Sequence, residues 1–176
     1  MVTPPGIRSA SIHPRSLPPP RNARVADRYV VNAEIASGGM GSVLRVYDRV
    51  AGEERALKRI KPQVLDRPFF IEAFEREYQV LAGLDHPRII RVFDYGVDEQ
   101  GPYYTMELLE GEDMRKAAPV PFKEACGYLR DIATSLALLH ARRLIHRDLS
   151  PGNVRRTPDG HCKLFDFGAL TGFGHT

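Results

Sequence analysis

The sequence predicts an α+β fold in two parts, a sheet-rich part followed by a helix-rich part. Apolar runs with period-2 alternation, separated by turn residues, indicate five strands between residues 29 and 108. One helical pattern interrupts those strands at residues 66–82, and a longer one covers residues 122–141. The first 27 residues match neither pattern.

The composition is that of an ordinary globular protein, with 43% hydrophobic and 27% charged residues in a chain of 176. No apolar run approaches the ~18 residues of a membrane-spanning helix, and the N-terminus lacks the apolar core of a signal peptide. The two cysteines have no metal-ligand or CxxC spacing. We therefore expect a cytoplasmic chain with reduced thiols and no membrane segment.

Residues 1–27 are predicted to be a disordered tail, because they contain six prolines and few large apolar side chains. A Pro-rich docking peptide around residues 17–20 is the alternative. Four arginines and one aspartate in this tail account for the whole formal net charge of +3. The remaining residues balance in charge, so no nucleic-acid partner is expected.

The first three strands are predicted at residues 29–35, 42–47 and 55–60, and a glycine-rich turn joins the first two. On the third strand, Ala56, Lys58 and Ile60 share one face. Three glycines in five residues are by themselves more typical of a hairpin turn than of a phosphate-binding loop.

The helix that follows is expected to begin after Asp66, a candidate N-cap, with Pro68 in its first turn. It should end near Ala82. Its apolar stripe includes one acid, since the stripe consists of Phe70, Phe74, Glu77 and Leu81.

Lys58 and Glu77 are each costly to bury alone, so an ion pair between them would satisfy both. Two unrelated side chains that reach solvent are the alternative. Two further strands are predicted at 89–95 and 103–108, a helix at 122–141, and a last strand at 163–165.

Two motifs in the second half carry the strongest information. His146-Arg147-Asp148 is followed by Asn153, and Asp166-Phe167-Gly168 comes thirteen residues after that Asn. With the glycine loop, Lys58 and Glu77 in the same order, the chain resembles the eukaryotic-type protein kinases, in the bacterial Ser/Thr group. The resemblance covers residues 29–176.

The resemblance implies a protein-kinase-like two-lobe fold, with a five-stranded antiparallel N-lobe sheet, one αC-type helix and a truncated helical C-lobe. Residues 28–106 would be the N-lobe, and residues 107–176 the hinge and a partial C-lobe. The family's activation segment and peptide platform are not found before Thr176. We therefore expect further domains beyond residue 176, and an exposed face on the 122–141 helix.

The resemblance also implies the site. Asp148, Lys58 and Glu77 would be catalytic, Asn153 and Asp166 would hold Mg²⁺, and His146 would pack in an apolar stack with Phe167, Leu81 and Val92. ATP would be bound by Ile35, Ala36, Ser37, Gly38, Gly39, Met40, Gly41, Val43, Ala56, Lys58, Met106, Glu107, Leu109 and Asp113. The base would bond the backbone of Glu107 and Leu109. The implied reaction transfers the γ-phosphoryl group of ATP to Ser/Thr hydroxyls of a protein substrate.

Three positions depart from the family pattern. Ala36 replaces the first glycine of the loop, Ser150 replaces the Lys two residues after the catalytic Asp, and Arg155 replaces an aliphatic residue beneath the base. Loss of one such cation slows phosphoryl transfer by ~10² or more. A non-catalytic pseudokinase that binds nucleotide or acts as a scaffold is therefore the alternative, and a kinase of small molecules is a third interpretation.

Overall fold

The computed structural model describes residues 23–39 and 41–172. The strands are β1 (Arg24–Val25), β2 (Tyr29–Ser37), β3 (Gly41–Asp48), β4 (Glu53–Ile60), β5 (Val92–Asp98), β6 (Gly101–Glu107), β7 (Leu144–Ile145), β8 (Val154–Arg156), β9 (Cys162–Leu164) and β10 (Thr171–Gly172). The α-helices are α1 (Pro68–Ala82), α2 (Met114–Ala117) and α3 (Phe122–Ala141). Single 3₁₀ turns cover Pro62–Val64 and Pro151–Asn153.

In the described residues, the first six strands form one antiparallel sheet in the order β1-β2-β3-β4-β6-β5. The predicted five-stranded antiparallel sheet is confirmed, with the short edge strand β1 added to it. The register places Val43 and Tyr104 on either side of Lys58. This sheet and α1 make the first part of the molecule, as predicted.

The boundary of the predicted tail at residue 27 is wrong at its last residues, because Arg24–Val25 pairs with β2. Val25 is buried against Tyr29, Val31 and Leu57 on the outer face of the sheet. Burial of the Val25 side chain offsets the conformational entropy that is lost when β1 is ordered. The strand has two residues, which are too few to show periodicity in the sequence. Residues 1–22, including the alternative docking peptide, lie outside the described residues.

Helix α1 packs the predicted stripe against the inner face of the sheet. Phe74, Glu77 and Leu81 are buried, and the Phe74 ring lies 5.0 Å from that of Tyr104. The expected Asp66 cap is wrong, since Arg67 occupies the N-cap and no side chain caps the helix. Pro68 at the first helical position has no N–H to cap, which lowers the need for that acceptor.

The second part of the molecule is built on α3, whose bounds match the prediction. It buries Tyr128, Asp131, Ser135 and Leu139 at helical spacing. The Ser135 hydroxyl donates to the carbonyl of Arg88 at 3.0 Å. Another face of α3 is exposed, as expected, with Phe122 at 85% and Leu129 at 65% exposure. In the part of the chain that the structure describes, no helix is long and apolar enough to cross a membrane.

The two parts are joined through the chain that precedes β5. Ile89 was predicted to begin that strand, but the strand begins at Val92. Ile89 instead forms an isolated parallel bridge with Leu164 of β9, and the amide of Ile90 donates to the carbonyl of Leu164 at 2.9 Å. Ile89 and Leu164 are both buried in the main core, so their contact connects the sheet to the helical part.

Candidate active site

The Lys58 ammonium is held between two carboxylates. It lies 2.8 and 2.9 Å from the carboxylate oxygens of Glu77 on α1, which is the predicted ion pair, and 3.5 Å from Oδ1 of Asp166. The Glu77 side chain is 5% exposed and that of Lys58 20% exposed. The Lys58 amine therefore points into a cleft between the sheet and the loop after β9, with one side open to solvent.

Tyr104, which the sequence analysis did not identify, completes this group. It lies opposite Lys58 on β6, and its hydroxyl donates to Oε1 of Glu77 at 3.0 Å. Burial, with the nearby Glu77 charge as a second cause, raises the pKa of Tyr104 well above its usual value. The neutral phenol is thus a fixed donor that orients the Glu77 carboxylate. Side chains alternate between the two faces along β6, and this alternation places Tyr104 on the inner face of the sheet. It is the signal in the sequence from which Tyr104 could have been identified.

Asp166 and Phe167 point in opposite directions. The Asp166 carboxylate is half exposed in the cleft and faces Lys58, whereas Phe167 is 1% exposed in the main core. The backbone of Asp166 has φ +62°, a left-handed conformation that costs a non-glycine residue free energy. The surrounding packing, with Phe167 as its anchor, holds this conformation and so directs the acid into the cleft.

His146 packs on Phe167, with ring centroids 4.8 Å apart. Phe167, Leu81 and Val92, which the resemblance places in a stack with His146, belong to one core cluster, and His146 is buried as well. Burial lowers the pKa of His146, which keeps the imidazole neutral near pH 7. Its Nδ1 accepts from the amide of Asp148 at 3.3 Å, so it positions the loop that follows.

Asp148 and Asn153 lie at the two ends of that loop. The Asn153 amide nitrogen donates to Oδ2 and to the backbone carbonyl of Asp148, both at 2.8 Å. The amide of Phe165 donates to the carbonyl of Asn153 at 3.0 Å, which ties the loop to the Asp166 segment. The loop begins at Arg147, whose φ is +64°. Asp148 is exposed and has a fixed hydrogen-bond partner on one oxygen.

The glycine loop joins β2 to β3 and is held by local hydrogen bonds. The amide of Gly38 donates to the carbonyl of Gly41 at 2.9 Å, and Lys61 Nζ donates to the carbonyl of Gly38 at 2.6 Å. A Cβ on Gly41 would lie 2.7 Å from the carbonyl oxygen of Arg59, so the close approach of β3 to β4 requires glycine. Ala36 lies in β2 opposite Val43, in extended backbone that alanine adopts readily. Met40 lies outside the described residues.

The residues expected around the base lie beside this cleft. Ala56 and Met106 are cross-strand partners next to the Lys58 position, and Val43 is the partner of Lys58 itself. The amide of Glu107 donates to the carbonyl of Arg91 at 2.9 Å. A base contact through the Glu107 backbone is therefore restricted to its carbonyl.

Asp113 and Ile35 were both expected to contact ATP, and the structure shows how each is held. One carboxylate oxygen of Asp113 accepts from the amide of Lys116 at 3.1 Å and caps α2. Its other oxygen remains as an acceptor. Ile35 is 49% exposed, so burial in the core does not fix its side chain.

Arg155, which the resemblance implies would lie beneath the base, is on β8, and its contacts were not predicted. Its Nη1 donates to the carbonyl of Gly111 at 2.9 Å, and its Cζ lies 5.4 Å from the ring centroid of Phe165. Its Nε is buried without a hydrogen-bond partner in the described chain. Gly111 has φ +93°, and a Cβ there would collide with the carbonyl of Arg156. Glycine therefore allows the connection after β6 to approach β8.

The chemistry of Asn153 and Asp166 fits a magnesium ion. Asp166 offers carboxylate oxygens to the cleft, and the Asn153 amide keeps its oxygen because its nitrogen is bonded to Asp148. Among the described residues, no group of three or more His, Cys, Asp or Glu side chains forms a metal cage. Magnesium commonly takes one or two protein oxygens together with phosphate and water, so two ligands are sufficient.

Comparisons with known proteins identify the family. A family model described as the protein kinase domain matches residues 29–175. The serine/threonine-protein kinase PknA of Mycobacterium tuberculosis is 35% identical over 153 residues, covering 82% of this chain and 36% of that protein. PrkC of Bacillus subtilis is 31% identical over 87% of this chain, and the probable kinase PknB of Corynebacterium glutamicum is 37% identical over 82%. The chain spans 24% of the length of each of these last two relatives.

Proposed function

The chain belongs to the protein kinase family, and from this premise we propose that it transfers the γ-phosphoryl group of ATP to Ser or Thr hydroxyls of a protein. The names of its relatives, all serine/threonine-protein kinases, support the class of acceptor. Since ATP is consumed in the cytoplasm, we place the reaction there.

The observation that carries this proposal is the position of Lys58 between Glu77 and Asp166, together with the hydrogen-bonded Asp148–Asn153 pair. Phosphoryl transfer needs charge neutralisation on the phosphate oxygens and a nucleophile held in line, with little covalent work by the protein. Lys58 is orientated for contact with nucleotide phosphates because Glu77 fixes its amine. The amides of the glycine loop would cover the same phosphates.

Asp148 would orient the substrate hydroxyl and accept its proton. The hydrogen bond from the Asn153 side-chain amide occupies one carboxylate oxygen of Asp148 and fixes the rotamer of that aspartate. The other oxygen is left for the substrate hydroxyl. Asn153 and Asp166 would hold magnesium, which when bound neutralises charge on the nucleotide phosphates. His146, neutral and buried, takes no part in proton transfer and holds the loop in place.

A second candidate, a nucleotide-binding pseudokinase, is favoured by Ser150 and Arg155. Ser150 would contribute no cation to the transferring group, and the Arg155 guanidinium, implied by the resemblance to lie beneath the base, has a buried nitrogen with no partner in the described chain. Both changes leave Lys58, Asn153 and Asp166 in place, so nucleotide binding is common to the two candidates. Transfer of phosphate separates them.

The test compares phosphate transfer from labelled ATP by the full-length protein with transfer by Asp148→Asn, in the presence of magnesium. We expect the substitution to lower the rate by 10²–10⁴-fold while nucleotide affinity changes little. Glu72→Gln, an exposed site on α1, is the control for an isosteric loss of charge. Equal and near-zero rates for wild type and Asp148→Asn, with nucleotide still bound, would establish the pseudokinase.

A further inference from the structure

We propose that Arg115 is a specificity-determining residue that binds an anionic side chain of the substrate, carboxylate or phosphate, close to the phosphoacceptor residue. The inference deepens the proposed kinase function and rests on it. It concerns the outer surface of the Asp148–Asn153 loop, where the substrate polypeptide must lie if its hydroxyl is to reach Asp148.

The Arg115 guanidinium lies directly on the backbone of the catalytic loop. A Cβ built on Gly152 would collide with Nη2 of Arg115 and would lie 3.1 Å from its Cζ. Gly152 is not needed for a left-handed backbone, since its φ is not positive. Glycine at this position therefore serves to leave room for the guanidinium.

Within the described residues, Arg115 is a cation that forms no ion pair. It is exposed on α2, and among the described residues no carboxylate lies within 4.0 Å of it. The nearest acid in sequence, Asp113, has one oxygen engaged with the amide of Lys116. Other arginines near the loop differ, since Arg156 pairs with Glu124 at 3.4 Å and Arg155 bonds Gly111. Arg115 thus has its donors available to an added group.

The distance to the reacting centre matches a neighbouring residue of a peptide. Asn153 Nδ2 lies 2.8 Å from Oδ2 of Asp148, and Gly152 precedes Asn153. Standard bond lengths then place the Gly152 Cα within about 10 Å of the Asp148 carboxylate. An extended peptide advances ~3.3 Å per residue, so a side chain two or three residues from the phosphoacceptor reaches the guanidinium.

The chemistry of the guanidinium selects the ligand. Its planar donors match the two oxygens of a carboxylate or the oxygens of a phosphate, and such bonds are stronger than neutral ones. A basic substrate residue at the same place meets a like charge and is disfavoured. The pair would be partly exposed, so salt should weaken the preference.

The experiment measures binding of fluorescent peptides to the full-length protein by anisotropy, so that it does not depend on turnover. Peptides share one Ser and carry Asp, phosphoserine, Ala or Lys at the second and third positions on either side. We expect the Asp and phosphoserine peptides to bind at least fivefold more tightly than the Ala peptide, and the Lys peptide more weakly. The two anionic peptides distinguish an acidic sequence from a previously phosphorylated one.

Arg115→Gln should abolish the preference and Arg115→Glu should reverse it, with the Ala peptide unaffected. Gly152→Glu, which places an acid against the guanidinium, should also abolish it. Lys116→Gln is the matched control, because it removes the neighbouring exposed cation without touching Gly152, and it should retain the preference.

Equal affinities for the four peptides, or a preference that survives Arg115→Gln, would overturn the assignment. Loss of the preference in Lys116→Gln as much as in Arg115→Gln would also overturn it, since general surface charge would then be the cause. Transfer of phosphate to the same peptides is measured in parallel. A charge preference in binding without transfer would count against the kinase function alone, and transfer without preference against Arg115 alone.

Discussion

Replacing Glu77 by Gln tests the ion pair at the centre of the site. Gln keeps the shape of the side chain and an acceptor for the Tyr104 hydroxyl, which bonds Oε1 at 3.0 Å, but removes the charge that Lys58 contacts at 2.8 Å. Breaking a fully buried pair by removing one partner costs 3–5 kcal/mol. The cost here should be smaller, because Lys58 is 20% exposed and Asp166 lies 3.5 Å away as a second acid.

We therefore expect Glu77→Gln to lower the free energy of unfolding by about 2 kcal/mol. With a urea dependence of about 2 kcal/mol per molar, the unfolding midpoint should fall by about 1 M. The assay is urea unfolding followed by circular dichroism for wild type, Glu77→Gln, Lys58→Met and the double variant. Glu72→Gln, exposed on the same helix, should leave the midpoint unchanged.

The double-mutant cycle isolates the pair from the separate effects of each substitution. Contacting charged residues should give a coupling energy of about 1.5 kcal/mol, whereas independent sites add within about 0.5 kcal/mol. A coupling energy below about 0.5 kcal/mol would refute the reasoning. The Lys58 ammonium would then be satisfied by Asp166 and solvent without Glu77.

Three further predictions concern single positions. Arg28 holds the pKa of the buried Asp48 at about 2, below its usual 3.8, so the pair stabilises the fold above pH 4 and this stability is lost as the pH falls towards 2. Asp48→Asn should remove about 2 kcal/mol of that pH dependence in unfolding measured between pH 2 and 5. Ser150→Lys should raise phosphate transfer about 10²-fold by restoring a cation near the transferring group. Arg155→Leu should tighten binding of a non-hydrolysable ATP analogue about fivefold, measured by calorimetry, because a buried unpaired donor is removed.

Each of these predictions has a contrary result. A pH dependence that persists in Asp48→Asn would mean that another acid, such as Asp94 beside Arg28, controls it. A similar rise with Ser150→Leu would show that size rather than charge is responsible. Weaker nucleotide binding by Arg155→Leu would mean that the guanidinium stacks on the base. Arg156→Leu, one residue further along β8, is the control for Arg155→Leu.

Periodicity predicted the parts of the fold that bury one face. Helix α3 has the predicted bounds, and α1 ends at Ala82 as predicted but begins one residue later, because apolar residues recur along both at helical spacing over several turns while the cap was misassigned. Strand β1 was missed because two residues show no period, and its pairing depends on Val25 meeting Tyr29 in the core. Ile89 lies outside β5 and pairs instead with Leu164, a residue from the second half of the chain. Its apolar side chain therefore reflects this tertiary contact and not membership of a strand.

The site divides in the same way. Lys58 and Glu77 were predicted to meet because an acid in an apolar stripe requires a partner, and this constraint is local to two adjacent elements. The contacts of Arg155 with Gly111 and of Arg115 with Gly152 join segments some 40 residues apart, and the sequence around these arginines does not identify their partners. Such contacts depend on the tertiary approach of α2 and β8, which no period in the sequence encodes.

The charges in the cleft indicate that nucleotide affinity and transfer rate depend on different residues. Lys58 already shares its charge with Glu77 and Asp166, so in the proposed reaction it would contribute to nucleotide binding more than to stabilising the charge that develops during transfer. Ser150 adds no charge there, and Arg115 lies over Gly152, where on our proposal it would contact the substrate chain instead. An interaction made equally in the ground and transition states changes KM, whereas one made in the transition state changes kcat. Ser150→Lys should therefore raise kcat with little change in KM for ATP, and Arg155→Leu should lower that KM with little change in kcat. If either variant changed both constants equally, the two groups would act on the same step, and the division of the cleft into a binding half and a transfer half would be wrong.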